Sequence, residues 1–593
     1  AIDDLRPGDT LRLTSGIYQG PFTISVNGTP MQPIVITSAS RELDQLAVID
    51  GGATRPGMEL QNHWMLFRDA SWIEIHHLQF QNGWTDPIRV ENSSYLSFKS
   101  CDMVGGRRVI RAQGEGTHHV LVENCFWDQG GRYSWDVTEW EGEDAWTSMH
   151  HGQLAFLNGS LFACEGTSGG HVIRGNTIRN AFNAIRWRAK QGMDKNIEIY
   201  ENTIEYVRDN DFEPEDYAAN LFIHHNRSHN VHKTLSIDHV NGGGIYYFGN
   251  VITTDLEERT AAIATGYHKI YGNEDQHLSD TLYLFNNSFY GTGRIHGSIG
   301  DRTILNVVHQ NNAYELTQRK WELDQWNESL RYDYDCSSRP FSTVLTANRQ
   351  EANGLVKAPG FQNPLTQDLT LREDSPCVDA GAAISIEGLR WQQTFEGDAP
   401  DIGAFDGNRP IVGPFFRVRD SPVPEHPRVT NVTSDEDSTQ ISFSTPLQRS
   451  SMTKNIMSVN ASGLQQPLTD FVLVGQGHTV RFANPDSEVE SYAVGGQLKG
   501  TNGMTATHWA SDAGFQPRRE KDLAIVLLYA TEGGRVKMSE DRRILRKGST
   551  IELSAQAEPG YRFVGWEGNY SGTDKEVSIS LKNSVWIVAR FEK

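Results

Sequence analysis

Three neighbouring segments concentrate the residues that could do chemistry. NAFNAIRWRAKQ carries Arg186, Arg188 and Lys190, and YVRDNDFEPEDYA carries Asp209, Asp211, Glu213, Glu215 and Asp216. NVHKTLSIDHVNGGG carries His232, Lys233, Asp238 and His239. Side chains alternate along an extended segment, so Asp209, Asp211 and Glu213 are expected on one face. Carboxylates held together raise one another's pKa unless cations compensate, which suits a protonated acid working beside a base. Asp209, Asp211, Glu213 and Asp238 are therefore the candidate catalytic set, for hydrolysis of a glycosidic bond between paired carboxylates. The same oxygens could instead hold a hard cation such as Ca²⁺, although the segment lacks the glycine of an EF-hand loop; no other cofactor is expected. Charge runs also form solvated turns, here paired to Arg186 and Arg188, and both readings stand at this point.

Two further regions could line the same surface. GGRRVIRAQ supplies Arg107, Arg108 and Arg111, whose planar forks suit the carboxylate or sulfate of an anionic sugar. GGRYSWDVTEWEGEDAWTSMHHG supplies Trp146 and His150, together with Trp135, Trp140 and His151, and aromatic faces are platforms for sugar rings. Arg186, Arg188, Lys233, His239, Arg107, Arg108, Arg111, Trp146 and His150 form the candidate substrate-binding set. With arginines or a cation neutralising a uronate carboxylate, Lys233, His239 or an arginine could remove the C5 proton, which makes β-elimination the alternative to hydrolysis. A non-catalytic, glycan-binding adhesin is the third reading.

The elements that must position these residues are repeats. β-branched runs closing on a polar residue recur as IEIHHLQF, YLSFKSCDM, VLVENCFW, HVIRGNTIRN, NIEIYENTIE, NLFIHHNRSH, GIYYFGNVIT, TLYLFNNSFY and ILNVVHQNNAY. They align His77, Ser100, Asn124, Asn176, Asn202, Asn226, Asn250, Asn287 and Asn312. A unit of that length cannot bury its apolar face alone, so the units must stack into a solenoid. The column of asparagines is then a hydrogen-bonded structural ladder. The two longest intervals, after Asn124 and after Asn250, are skipped rungs or loops thrown outward. Cys101 and Cys125 fall at equivalent positions of consecutive rungs, as ladder packing rather than a disulfide.

A chain of 593 residues with a net charge of −21 disfavours nucleic acid as a partner, since it repels phosphate. No run is apolar for long enough to span a bilayer. Five cysteines without a CxxC pair exclude a zinc ribbon or dithiol redox motif. A monomer acting on a polysaccharide is expected.

The opening DLRPGDTLRLTSGIYQGPFTISVNGTPMQPIVITS, with the later SPCVDAGA and DIGAFDG, resembles the bacterial β-helix proteins of the pectate-lyase-like superfamily. That resemblance implies an all-β, right-handed parallel β-helix over residues 1–410 and a carbohydrate-active role, but not which reaction. The NG-x-E segment of the related alginate and chondroitin lyases, with its downstream Lys and Arg, is not found. A Pro-rich stretch near 409–429 ends the repeats, and alternating short strands over 411–515 suit an immunoglobulin-like sandwich. Residues 516–593, through GYRFVGWEG and the closing ARFEK, resemble the divergent internalin-type repeat of bacterial surface proteins. This implies an exported, extracellular or surface-associated protein.

Overall fold

The computed structural model describes residues 2–593 except 30–31, 54–55, 58–60, 131–149, 151–153, 189–192, 255–267, 271–279, 292–305, 318–325, 390, 412, 415–428, 435–436, 444–445, 453–455, 460–464, 468–469, 484–490 and 495–522. The chain is all-β. Short strands pair in parallel with the strands one coil before and after, building the three faces of a parallel β-helix.

The first face runs through Ser71–His76, Ser94–Lys99, His118–Glu123, Val172–Arg174 and Ile197–Tyr200. The second runs through Gln79–Gln81, Asp102–Val104, Phe126–Asp128 and Thr177–Ala181. The third holds Ile88–Glu91, Arg108–Gln113, Ser160–Glu165 and Ile185–Arg188. Two 22-residue strands, Thr203–His224 and Arg227–Phe248, then pass through all three faces without a break. Alternation places one column of each face inward: on the third face Ile88, Ile110, Phe162, Ile185, Phe212 and Leu235 stack in register and are fully buried. Each such side chain contributes about 1.5–3 kcal/mol, which is why a coil is stable only between neighbours.

Neither long interval in the repeat skips a rung, because His118–Glu123 pairs directly with Val172–Arg174 and Arg227–Phe248 directly with Leu282–Phe285. The asparagine column is a ladder. Asn176 donates from its backbone N–H (3.0 Å) and Nδ2 (2.9 Å) to Asn202 Oδ1. Asn202, Asn226, Asn250 and Asn287 repeat the pattern toward the next rung. Asn312 ends it by donating to Asp335 Oδ1.

The sequence alignment of this column is corrected by one residue in its first three rungs. Cys125, not Asn124, precedes Asn176, and its backbone N–H donates to Asn176 Oδ1. His77, Ser100 and Asn124 belong to the adjacent corner column, where the backbone is left-handed and where Gly175, Glu201, His225 and Gly249 continue the series. Cys101 and Cys125 occupy the ladder column itself. All five cysteines are buried and free.

Residues 375–411 fold back onto the last coils, with Ile384, Ile386, Leu389 and Ile411 buried against Phe222, Tyr246, Phe248 and Phe285. Beyond them lie two small antiparallel sheets, one formed by Val429–Ser434, Ser438–Phe443, Thr479–Ala483 and Phe471–Val474, the other by Gln465–Pro467, Ile456–Val459 and Ser491–Val494. A last pair of sheets follows. One holds Ile544–Arg546, Leu523–Ala530, Val585–Glu592 and Arg562–Gly568, and the other Gly534–Met538, Thr550–Ala557 and Glu576–Ser580.

Candidate functional site

The third face carries most of the candidate residues. Register pairing puts Arg111, Ala163, Arg186 and Glu213 in one outward column, and Gln113, Glu165, Arg188 and Glu215 in the next. Ala163 is the small residue between two arginines, and the space it leaves opens a cavity of about 370 Å³. Its lining includes Arg107, Arg108, Arg111, Arg186, Arg188 and His150, six of the residues expected to bind substrate, together with Asn158, Glu165 and Trp187. Segments far apart in sequence meet because the coils between them stack.

The arginines differ in how far they are neutralised. Asp86 accepts from Arg108 Nε (2.7 Å) and Nη2 (3.0 Å) and from Arg111 Nη1 (2.7 Å), while Glu165 accepts from Arg111 Nη2 at 2.8 Å. Glu215 lies 2.6 Å from Arg188 Nε, and Glu213 3.5 Å from Arg186 Nε. Arg107 is the exception. Its Nε donates to the backbone oxygen of Asn158 at 2.8 Å, and no carboxylate of the described residues pairs with it. Burial, reinforced by the charges of Arg108 and Arg186, lowers its pKa to about 10. The hydrogen bond from Arg111 holds the Glu165 carboxyl below its ordinary range, so it stays ionised.

Glu213 lies one coil beyond Arg186, its register partner, and is not part of the cavity lining. Asn183 Nδ2 donates to it at 2.8 Å and Asn210 Nδ2 at 3.2 Å, and Asn183 is itself fixed because its Oδ1 accepts from the Asn210 backbone N–H. Lys233 is the in-register partner of Asn210 on the next coil, and Asp238 that of Glu215. The side chains of Asp238 and His239, and all of Trp146, lie outside the described residues.

The expectation that Asp209, Asp211 and Glu213 face one way is corrected. The chain turns from the second face to the third across these residues, marked by a register shift between Val207 and Asn210. Asp209 comes to rest at that corner beside Phe182, whose backbone oxygen accepts its N–H. Asp211 enters the interior, fully buried, where Ser228 Oγ donates to its Oδ2 at 2.6 Å. Burial raises its pKa well above the ordinary carboxylate value, which favours the protonated form. Of the expected triad, Glu213 is the one placed in the outward column with Arg186. The ion pairs of Glu213 and Glu215 with Arg186 and Arg188 are those that the paired-charge reading anticipates.

Sequence reasoning missed Asn158, Ala163 and Asn183. Asn158 is the most consequential, since it touches Arg107 through its backbone and Arg186 through its side chain. Among the described residues two buried groups have metal-ligand chemistry, Cys164–His171–Asp194, whose Cys164 also lines the cavity, and His309–Asp335–Glu351. Most of their ligand atoms are engaged in hydrogen bonds, Glu351 Oε1 being an exception. Asp194 accepts from the backbone of Gly166 and Thr167, His171 Nδ1 lies 3.1 Å from the Val120 backbone N–H, and Asp335 takes the end of the asparagine ladder and His309.

The family model described as the divergent InlB B-repeat domain matches residues 526–593. No curated protein matches the chain. Among solved structures, a mutant of the PL6 family alginate lyase AlyGC aligns with TM-score 0.35 and 10% identity, over 57% of this chain and 49% of that one. The chain therefore spans about half the length of that lyase. The PL6 polysaccharide lyase Pedsa3628 from Pseudopedobacter saltans aligns with TM-score 0.37 and 10% identity, over 64% of this chain and 95% of that one. PfbA, a surface adhesin of Streptococcus pneumoniae, aligns with TM-score 0.34 and 11% identity, over 51% and 82%. Among the described residues no helix is long and apolar enough to cross a membrane.

Proposed function

We propose that this chain is an exported enzyme that binds a uronate-bearing, anionic polysaccharide along the third face of its β-helix and cleaves it by β-elimination. The supporting observation is the arginine cavity. Five guanidinium groups line it, and Arg107 alone among them makes no ion pair with a carboxylate of the described residues. Hydrolysis between paired carboxylates has less support, because Asp211 is interior and Glu213 is held by Asn183, Asn210 and Arg186.

In elimination, the substrate carboxylate must be neutralised so that the C5 proton becomes acidic; a base then removes it, the C4=C5 double bond forms as the C4–O bond breaks, and the leaving oxygen takes up a proton from that base or from water. Arg107, Arg111 and Arg186 are the neutralising groups, and Lys233 is the candidate base. Asn210 Oδ1 is buried with no donor among the described residues, and Ca²⁺ would be held beside it only with Glu213 and Glu215 released from Arg186 and Arg188. Such a cation would add a second positive charge facing the substrate carboxylate.

The test is incubation with alginate, pectate, chondroitin sulfate and a sulfated fucan, following reducing ends and the ultraviolet absorbance of an unsaturated uronate. The Lys233→Met and Arg111→Ala proteins are run alongside, with and without a chelator. Absorbing products, lost in both variants, are expected. Reducing ends without absorbance would overturn elimination in favour of hydrolysis, and binding without products would leave a glycan-binding surface protein.

A further inference from the structure

The strand Leu523–Ala530 of the C-terminal repeat, LAIVLLYA, is buried on both faces. A strand at the surface of a small sandwich alternates apolar and polar, so an uninterrupted apolar run needs a second partner. The alternation identifies both partners. Ala524, Val526 and Leu528 enter the repeat's own core with Ile551, Trp566 and Ile587. Leu523, Ile525, Leu527 and Tyr529 join Trp84, Val104, Phe126, Leu157 and Phe182 of the β-helix in a separate buried cluster.

The fit is close and ordered by polar contacts at its rim. Gly130 lies so near Leu527 that a Cβ there would stand 1.9 Å from the leucine Cδ1. Gln81 binds the repeat twice, donating to the Asp541 backbone oxygen at 2.9 Å and accepting from the Arg543 N–H at 3.0 Å. Arg542 reaches Gln79 Oε1 at 2.9 Å.

This contact ends one residue from the cavity. Leu157 is covered by the repeat, and the next residue is Asn158, which holds Arg107 and Arg186. Gln129 ties the same corner together: its Nε2 donates to the backbone oxygens of Gly106 (3.1 Å) and Leu157 (2.9 Å), and its Oε1 accepts from the Phe182 N–H. The residues flanking Arg107 and Asn158 are thus fixed from beneath by a surface that the repeat completes.

We propose that the C-terminal repeat is a structural wall of the groove, and that Leu527 is a positioning residue which, through Leu157 and Gln129, aims Arg107 and Asn158 into the arginine cavity. That the cavity is the substrate site rests on the function proposed above, but the clamp itself does not.

The experiment therefore reads backbone and side-chain order rather than turnover. Hydrogen exchange and the rate of phenylglyoxal modification of Arg107 are compared in the full chain for wild type, Leu527→Ser, Leu527→Ala and the conservative Leu527→Met. Val577→Ala, on the repeat's far sheet, is the control. Leu527→Ser is expected to speed exchange in residues 105–108 and 154–160 by about tenfold or more and to accelerate labelling of Arg107, with Leu527→Ala intermediate and Leu527→Met near wild type. Exchange in the coil around 282–290 should not change. Should Leu527→Ser fail to fold, the Ala and Met variants carry the comparison. The proposal is overturned if exchange rises within 523–530 alone while 105–108 and 154–160 keep wild-type protection, or if Val577→Ala loosens those segments equally. An inactive protein with the expected exchange pattern would count against the proposed function and not against the clamp.

Discussion

Replacing Asp211 with asparagine should make the protein more stable, and by an amount that grows with pH. Asp211 is fully buried, accepts one hydrogen bond from Ser228, and has its pKa raised by desolvation. The native state therefore keeps a proton that the unfolded chain releases above pH of about 3.9. A raised folded pKa means that stability is fully present below the unfolded value and is lost as pH rises toward the folded one. The loss is about 1.4 kcal/mol for each pH unit within that window. Asparagine has nearly the same shape, still accepts from Ser228, and does not ionise. The advantage of Asp211→Asn over wild type should thus widen between pH 5 and pH 7, by at most about 1.4 kcal/mol for each pH unit over which the native group keeps its proton. Urea unfolding of the β-helix at both pH values measures it. A gap independent of pH would refute the interior, protonated placement. So would loss of turnover with unchanged stability, which would return Asp211 to the groove as an ionised catalytic group.

Other expectations follow from the ladder, the cavity and the thiols. Asn226→Ala removes an acceptor used by Asn202 and a donor to Asn250 and Ile199, so it should cost about 2–4 kcal/mol in chemical denaturation. Arg107→Ala should weaken binding of an anionic oligosaccharide by about tenfold or more and flatten the dependence of affinity on salt, as read by calorimetry. The five buried cysteines should not react with a thiol reagent until the chain is unfolded, and Cys125 in particular, its thiol pushed up by burial, should be inert.

The β-helix was legible in the sequence because its coils repeat a strongly patterned element, and the arginines of the site were legible because their local density stands out in an acidic chain. What failed did so for local geometric reasons. Asn124 imitates the ladder residue by composition, yet it occupies the left-handed corner beside Cys125. Period-two reasoning placed Asp211 beside Glu213, but the chain turns a corner between faces there and one of the two carboxylates rotates inward. Asn158 and Ala163 carry no distinctive signal, since one acts largely through its backbone and the other through its smallness. The docking of the repeat did have a signal in the eight-residue apolar run of LAIVLLYA, longer than one buried sheet face requires.

The asparagine ladder also gives the solenoid a direction of growth. Every rung from Asn176 onward donates toward the C-terminal side and accepts from the N-terminal side, so a duplicated coil bearing its own asparagine could be spliced in between without reversing a hydrogen bond. At Asp335 the series meets a side chain that, when ionised, only accepts. A coil added beyond it would find no amide to extend. The length of the groove can therefore change in evolution by whole coils inserted upstream of Asp335, in steps of one strand spacing, about 4.8 Å, which is also the increment by which the bound length of a polysaccharide would change.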